Sequence, residues 1–341
     1  MKILTAIFLV LYLGGCKDEN SPNPLSGDWT IDTNYLRQGC FSGKDCIPSL
    51  EHPGKSIIGD NNLSFLDDND LVVGIWDGND YIAYPHSILD WHEIVNENGY
   101  SISYCPLTGS ALHINTDSEF GVSGKLYNSN LIMYDRNSES HWPQMLLQSA
   151  EGSRQGDELT LNSMIETTWA TWKKLFPETK ILNSATGYSR DYNSYPYGSY
   201  KTCNSASCGD YIYFPVSVVD NRLPAKTRVL SIISNTTKKS YPIQNFIQPT
   251  IINETIDGVQ FAVILSADEK IGVAFKTELN LSIETWDIGT GTILLADANG
   301  NQWNILGRLI NGNMNDLVPA KSFISYWFSQ AAFYPETEIH S

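Results

Sequence analysis

Hydrophobic and polar positions alternate in short runs from residue 71 onward, which predicts β-strands joined by tight turns. The runs 71–76 and 81–84 flank an Asp-Gly-Asn-Asp turn signal, and together they predict a β-hairpin. Three further runs predict more strands, at 101–104, 111–114 and 130–134. This part of the chain is therefore predicted to be mainly β.

A helix with one apolar face is predicted after these strands. Ser163 and Glu166 have the spacing of a capping box, which marks a helix N-terminus. Four large apolar residues follow at spacings of four, three and four, as on one face of a helix: Ile165, Trp169, Trp172 and Phe176. Pro177 ends the helix. We therefore expect its tryptophans to lie in the core.

The same pattern recurs 157 residues later, where 72–97 align with 229–254 without a gap. Trp169 likewise aligns with Trp327, at an offset of 158. Collinear matches at nearly one offset indicate an internal duplication. We therefore predict an α+β fold: two tandem copies of a mainly β unit, each ending in an amphipathic helix and packed into one body. The first unit is 70–182 and the second is 227–341.

The segment between the units, 183–226, is rich in tyrosine. Residues 183–215 hold seven of the chain's 18 tyrosines. Such a segment either lines a ligand cleft or plugs the interface between the units. The sequence leaves both alternatives open.

The N-terminus predicts a bacterial lipoprotein. Residues 1–15 have a basic residue, a short apolar run and small residues, as in a signal peptide. The following Cys16 completes a Leu-Gly-Gly-Cys sequence that resembles a lipobox, so Cys16 is the expected lipidation site and 16–27 the tether. The apolar run is too short to span a bilayer, so we expect attachment through the lipid anchor only. The residue after Cys16 is not Asp, which favours an outer-membrane lipoprotein, periplasmic or surface-exposed.

The cysteines divide into two close pairs and one single residue once Cys16 is set aside. One pair, Cys40 and Cys46, lies in the N-terminal extension 28–69, and the other is Cys203 and Cys208. Each pair is predicted to close a small disulfide in an oxidising envelope, although pairing between the two loops stays open. Cys105 remains as a free thiol.

Charge and composition exclude one class of function. With 22 Lys and Arg against 38 Asp and Glu, the net charge is −16, and no basic cluster is present to bind nucleic acid. A hydrophobic content of 42% is enough for a sizeable core. A globular protein without a nucleic-acid partner is predicted.

Reactive side chains are concentrated in the first unit. His92, Glu93, Cys105 and Arg136 have apolar or uncharged counterparts in the second unit. Cys105 follows a predicted strand, and loops after strand ends commonly carry functional residues. The metalloprotease helix, the GxSxG elbow, the P-loop and the dinucleotide fingerprint are missing from the sequence.

Several blocks of this sequence together resemble the DUF3179 family, which is uncharacterised. They are ILDWHEIVN at 88–96, YCPLTGS at 104–110, MYDR at 133–136 and GYSRDY at 187–192. The resemblance covers nearly all of the mature chain and implies secretion and a shared site, but no activity. Family members often carry a second Cys where this chain has Thr108, which weakens any two-thiol site here. His92, Cys105, Arg136, Arg190 and Asp191 remain as candidates.

Three functions stay open, and with them the question of whether the protein is an enzyme. The first is a copper or zinc site at Cys105, His92 and Glu93, with Asp135 or His141 as a further ligand. The second is catalysis by a Cys105 nucleophile and a His92 base, with Arg136 or Arg190 holding an anion. The third is a non-catalytic lipoprotein whose cleft between the units binds a glycan, peptide or partner, with Arg190, Asp191 and Tyr192 as binding residues.

Overall fold

The computed structural model describes residues 27–201 and 211–341. The predicted signal peptide, nearly all of the tether with Cys16, and the predicted Cys203–Cys208 disulfide lie outside the described residues. Within the described ranges, no helix is long and apolar enough to cross a membrane. The described residues are mainly β-sheet with few helices, in agreement with a mainly β or α+β fold.

Short strands make up most of the elements. The strands before the tyrosine-rich segment are β1 Leu36–Gln38, β2 Leu50–Glu51, β3 Lys55–Ile57, β4 Leu71–Trp76, β5 Tyr81–Pro85, β6 Ile94–Glu97, β7 Tyr100–Cys105, β8 Ser110–Asn115, β9 Phe120–Tyr127, β10 Asn130–Asp135, β11 His141–Pro143, β12 Thr160–Leu161, β13 Met164–Thr168 and β14 Lys180–Leu182. Those after it are β15 Arg228–Ile233, β16 Lys238–Pro242, β17 Thr250–Ile256, β18 Val259–Ser266, β19 Ile271–Lys276, β20 Ser282–Asp287, β21 Thr292–Ala296, β22 Gln302–Trp303, β23 Leu309–Asn311, β24 Val318–Pro319, β25 Ser322–Tyr326 and β26 Glu338–Ile339. The α-helices are α1 His86–His92, α2 Trp169–Leu175 and α3 Trp327–Phe333, and single 3-10 turns lie at Thr33–Tyr35, Asn61–Leu63, Gln144–Leu146 and Ile243–Asn245.

One sheet of each unit is built around a hairpin. In the first unit the strand order is β13-β4-β5-β14-β3, and in the second it is β25-β15-β16-β26. The hairpins pair Val72 with Pro85 and Val229 with Pro242. In both sheets the last strand of the unit runs parallel to the second hairpin strand. The predicted first hairpin is confirmed, because alternation and the turn signal define it locally.

The N-terminal extension adds an edge strand to each of the three sheets of the first unit. Its strands give the orders β1-β9-β10-β11, β12-β8-β7-β6-β2 and β13-β4-β5-β14-β3. The remaining sheets of the second unit are β17-β18-β19-β24 and β20-β21-β22-β23. The extension is therefore an integral part of the first unit's sheets.

The predicted capping box at Ser163 is wrong. Residues Met164–Thr168 form β13, which pairs along its whole length with β4. Helix α2 begins only at Trp169, and the Thr168 hydroxyl caps it by accepting a hydrogen bond from the Thr171 N–H. Because Ile165, Thr167 and Thr168 are β-branched, they favour the pleated sheet once a partner strand is available.

One buried cluster joins the two units. It contains Trp172 of the first unit together with Trp303 and Phe275 of the second. Gly74 of β4 passes directly beneath Trp172, and a Cβ atom there would lie 2.1 Å from the Trp172 ring. Trp169 and Trp327 are buried as well, which confirms the expectation that these tryptophans lie in the core.

Candidate functional site

An apolar cavity of about 350 Å³ lies between the N-terminal extension, the first unit and the tyrosine-rich segment. Its walls include Ile47, Leu126, Leu131, Tyr197, Tyr213 and Phe214. The disulfide between Cys40 and Cys46 is formed, as predicted, and also lines this cavity. We call it the Glu93 cavity, after the carboxyl group that enters its wall.

Glu93 reaches the cavity because of the way α1 ends. It caps the helix in a left-handed conformation, with φ of 57°, and its N–H donates to the Leu89 carbonyl. This turn directs the chain into β6 and leaves the side chain buried. The Tyr197 hydroxyl donates to Glu93 Oε1 at 2.8 Å, and no other described side chain hydrogen-bonds this carboxyl group.

The Glu93 carboxyl titrates far above its ordinary range. Burial raises its pKa from 4.5 to about 7, and the hydrogen bond from Tyr197 offsets only part of this rise. Burial disfavours the charged carboxylate because the apolar walls replace water. A carboxyl group in a cavity with a pKa near neutrality can both give and take a proton, which is a common property of functional sites.

Lys125 supplies a second ionisable group to the same cavity. Its Nζ lies 3.2 Å from His141 Nε2, and His141 Nδ1 lies 2.6 Å from Glu151 Oε2. Burial lowers the pKa of Lys125, and burial together with the Lys125 charge lowers that of His141. His141, considered above as a further metal ligand, is therefore held in a chain of hydrogen bonds with Lys125 and Glu151.

His92 is fixed in one neutral form. Its Nδ1 lies 2.8 Å from the Pro48 carbonyl oxygen, so Nδ1 carries the proton and donates it. Its Nε2 therefore accepts the hydrogen bond from the Tyr192 hydroxyl, also at 2.8 Å. Burial, together with the nearby Arg190 charge, lowers the pKa of His92 to about 4. The imidazole is neutral at pH 7 and both of its nitrogens already have partners.

Cys105 is the last residue of β7, at the strand end where the sequence placed it. Its sulfur is buried and accepts a hydrogen bond from the Leu131 N–H at 3.4 Å. Burial and the neighbouring Glu93 carboxylate raise the pKa of this thiol to about 11. Cys105 is therefore a neutral thiol at pH 7, whereas a nucleophile needs the thiolate.

His92 and Cys105 are not joined by a hydrogen bond, so the structure gives no support to a nucleophile and base pair. A metal site has no better support. Within 27–201 and 211–341, no group of three or more His, Cys, Asp and Glu side chains could hold a metal ion. Copper and zinc sites use three or four such ligands, so these donors do not fit a metal at Cys105, His92 and Glu93.

Arg136 binds the N-terminal extension. Its guanidinium donates two hydrogen bonds to the Asp45 carboxylate, at 3.0 and 2.9 Å, and a third to the Ser49 hydroxyl. This bidentate geometry is the one that best satisfies an arginine and a carboxylate. Asp135 is likewise paired, with Arg154 at 2.7 Å. The charges of Arg136 and Asp135 are therefore both neutralised by ion pairs within the fold.

The three predicted binding residues divide between two environments. Arg190 and Asp191 are exposed; Arg190 lies 5.7 Å from the centre of the Trp91 ring, and Asp191 caps the turn at Asn193. Tyr192 is buried and makes the hydrogen bond to His92. None of the three residues lines the Glu93 cavity.

Sequence reasoning missed Tyr197 and Lys125 as site residues. The sequence signal for Tyr197 was the high tyrosine content of its segment. Two tyrosines of this segment, Tyr197 and Tyr213, line the cavity. This cavity adjoins the first unit and its extension, however, and not the interface between the units. Lys125 gave no signal, because a single lysine in a strand is usually a solvent-exposed residue.

Comparison with known families gives one match, and comparison with curated proteins and with solved structures gives none. The matching family is described as a protein of unknown function, DUF3179, and the match covers residues 44–337. It begins inside the N-terminal extension and includes the first unit, nearly all of the second unit, and Glu93, His92 and Cys105. The chain belongs to the DUF3179 family.

Proposed function

We propose that this protein is an envelope lipoprotein that binds a small, mainly apolar molecule in the Glu93 cavity. The observation that carries the proposal is the Glu93 carboxyl group, which is buried in the cavity wall with its pKa raised to about 7. An apolar cavity with one convergent polar group of perturbed pKa is typical of a ligand site.

The chemistry of the walls defines the ligand class. Leucine, isoleucine, tyrosine and phenylalanine side chains favour an apolar or aromatic body. Tyr197 donates to Glu93 Oε1, so the carboxyl group retains acceptor capacity for a donor group on the ligand. An amine is the best such donor, because it pairs with the carboxylate form that dominates above about pH 7.

The test compares three molecules with the same body: 2-phenylethylamine, 2-phenylethanol and phenylacetate. Titration calorimetry on the mature protein should show the amine binding most tightly, with affinity rising as the pH passes through about 7. Glu93→Gln should remove the advantage of the amine over the alcohol, whereas the exposed Glu119→Gln should keep it. Equal binding of all three molecules, or binding of none, would refute the proposal.

Attachment to the membrane through a lipid on Cys16 is a separate proposal, supported by the lipobox-like sequence ahead of Cys16. In a bacterial host, an alkyne-labelled fatty acid should be incorporated into the protein, and the protein should fractionate with the outer membrane. Cys16→Ser should lose both the label and the membrane association. A label that persists in this variant would contradict the anchor.

A tandem origin of the two units, about 70–182 and 227–341, is likewise proposed. Its support is the shared order of hairpin strands and the matching pairs Val72 with Pro85 and Val229 with Pro242, both at the offset of 157. In an experimental structure, the hairpin and final helix of one unit should superpose together on those of the other. Superposition of the hairpins alone would refute a common origin.

A further inference from the structure

A second cavity, of about 230 Å³, lies where the two units meet. His86, Tyr104 and Glu166 line it from the first unit, and Arg228 and Tyr326 line it from the second. Lys201 of the tyrosine-rich segment completes it. We call it the Glu166 cavity; it shares no lining residue with the Glu93 cavity.

Backbone contacts between the units build this cavity. The Tyr326 N–H donates to the Thr108 carbonyl at 2.7 Å, which joins β25 to the turn after β7. Gly109 in this turn has φ of 58°, and a Cβ atom there would lie 2.9 Å from the Tyr326 ring. Arg228 pairs with Tyr326 across β15 and β25. The close approach therefore fixes the tyrosine and the arginine against the first unit.

A buried carboxylate, that of Glu166, lines the cavity. Glu166 Oε2 accepts a hydrogen bond from Arg228 at 2.9 Å and lies 3.1 Å from His86 Nε2. The charges of Arg228 and His86 outweigh burial and lower the pKa of Glu166, so it is ionised at pH 7. Its other oxygen, Oε1, is buried and has no hydrogen-bond partner among the described residues.

One other polar atom of the cavity lining is also unpartnered. Within the described part of the chain, the Ser87 hydroxyl is buried without a hydrogen bond. A buried polar atom without a partner costs about 1–3 kcal/mol, so two such atoms in the lining of one cavity need an explanation. They are a carboxylate oxygen, which accepts, and a hydroxyl, which both donates and accepts.

The charged groups that line the Glu166 cavity already have partners. Arg228 neutralises Glu166, and the Lys201 ammonium donates to Asp90 Oδ2 at 2.5 Å. Asp70 also lines the cavity and accepts a hydrogen bond from a backbone N–H at 2.9 Å. A charged ligand would bring an unpaired charge into this environment, which is costly. A neutral ligand with several hydroxyl groups would satisfy the free atoms without this cost.

We propose that the Glu166 cavity binds a neutral polyhydroxylated molecule of the size of one monosaccharide or cyclic polyol. One hydroxyl group donates to Glu166 Oε1, and another exchanges hydrogen bonds with Ser87. The rings of Tyr104 and Tyr326 offer apolar faces to the carbon skeleton. At about 30 Å³ per water molecule, the volume corresponds to roughly seven or eight waters, which is too small for an oligosaccharide.

The test measures equilibrium binding by titration calorimetry on the mature protein. The neutral probes are glucose, galactose, mannose and myo-inositol, and the charged counterparts are glucosamine and glucuronate. At least one neutral probe should bind with a Kd of about 1 mM or tighter. Ser87→Ala removes one hydroxyl group from the cavity lining and should weaken this binding about tenfold.

Two controls separate the Glu166 cavity from the Glu93 cavity and from the surface. Glu93→Gln should leave sugar binding unchanged, and so should Tyr211→Phe, which alters an exposed tyrosine. Failure of the wild-type protein to bind phenylethylamine, with sugar binding intact, would thus refute only the proposal for the Glu93 cavity. Failure of every neutral probe, tighter binding of a charged counterpart, or unchanged affinity in Ser87→Ala would overturn the proposal for the Glu166 cavity.

Discussion

The raised pKa of Glu93 makes a quantitative prediction about stability. In the unfolded chain the carboxyl group loses its proton near pH 4.5, whereas in the folded protein it keeps the proton up to about pH 7. Between these values the folded state binds more protons than the unfolded state. The free energy of unfolding therefore falls as the pH rises from about 4.5 to about 7, and this contribution is constant above that window.

The magnitude follows from the two pKa values. A change from 4.5 to about 7 corresponds to roughly 3 kcal/mol, at about 1.4 kcal/mol for each tenfold change in proton affinity. Glu93→Gln removes the titration while its amide oxygen still accepts the hydrogen bond from Tyr197. The stability of this variant relative to wild type should therefore rise by up to about 3 kcal/mol between about pH 4 and about pH 8.

Urea denaturation of wild type and variant at each pH measures this difference. Other groups contribute to the pH dependence of both proteins and cancel in the comparison. Glu119→Gln, at an exposed position, is the matched control and should track wild type at every pH. A difference between Glu93→Gln and wild type that does not change with pH would refute the raised pKa, and with it the basis for the proposed ligand site.

Three further predictions concern the interior and the disulfide. The buried Cys105 thiol, with its pKa of about 11, should not react with a thiol reagent at neutral pH until urea unfolds the protein; prompt reaction would contradict its burial. Gly74→Ala places a Cβ 2.1 Å from the Trp172 ring and should lower the free energy of unfolding, measured by urea denaturation, by about 1–3 kcal/mol or more. Replacing both Cys40 and Cys46 by serine opens a short loop and should cost about 2 kcal/mol by the same assay; an unchanged midpoint would contradict this.

Local patterns predicted the strands well and the start of one helix badly. The runs 71–76 and 81–84 coincide with β4 and β5 because alternation and a turn signal act over a few residues. The capping box at Ser163 failed because β13 pairs with β4, about 90 residues earlier in the chain. A partner strand at that distance contributes hydrogen bonds and packing that no window of neighbouring residues contains.

For the candidate residues too, the sequence predicted local position but not the tertiary environment. The sequence placed Cys105 at a strand end, and the structure agrees, but it did not show that burial would leave the sulfur a neutral thiol. His92 looked like a base for Cys105, yet its nitrogens bond Pro48 and Tyr192, which are 44 and 100 residues away. Residue type suggests what a side chain can do, whereas its partners decide what it does.

By itself, the sequence indicated the family through several ordered motifs, and it predicted a mainly β fold and buried tryptophans because these depend on periodicity. The short spacing of Cys40 and Cys46 favoured a disulfide between them, and the structure decided this pairing. Only the tertiary structure decided the two cavities. Glu93 accepts a hydrogen bond from Tyr197, which is 104 residues away in the sequence, and Glu166 accepts one from Arg228, which is 62 residues away. Burial and charge pairing set the pKa of each carboxyl group, and both arise only when distant strands pack together.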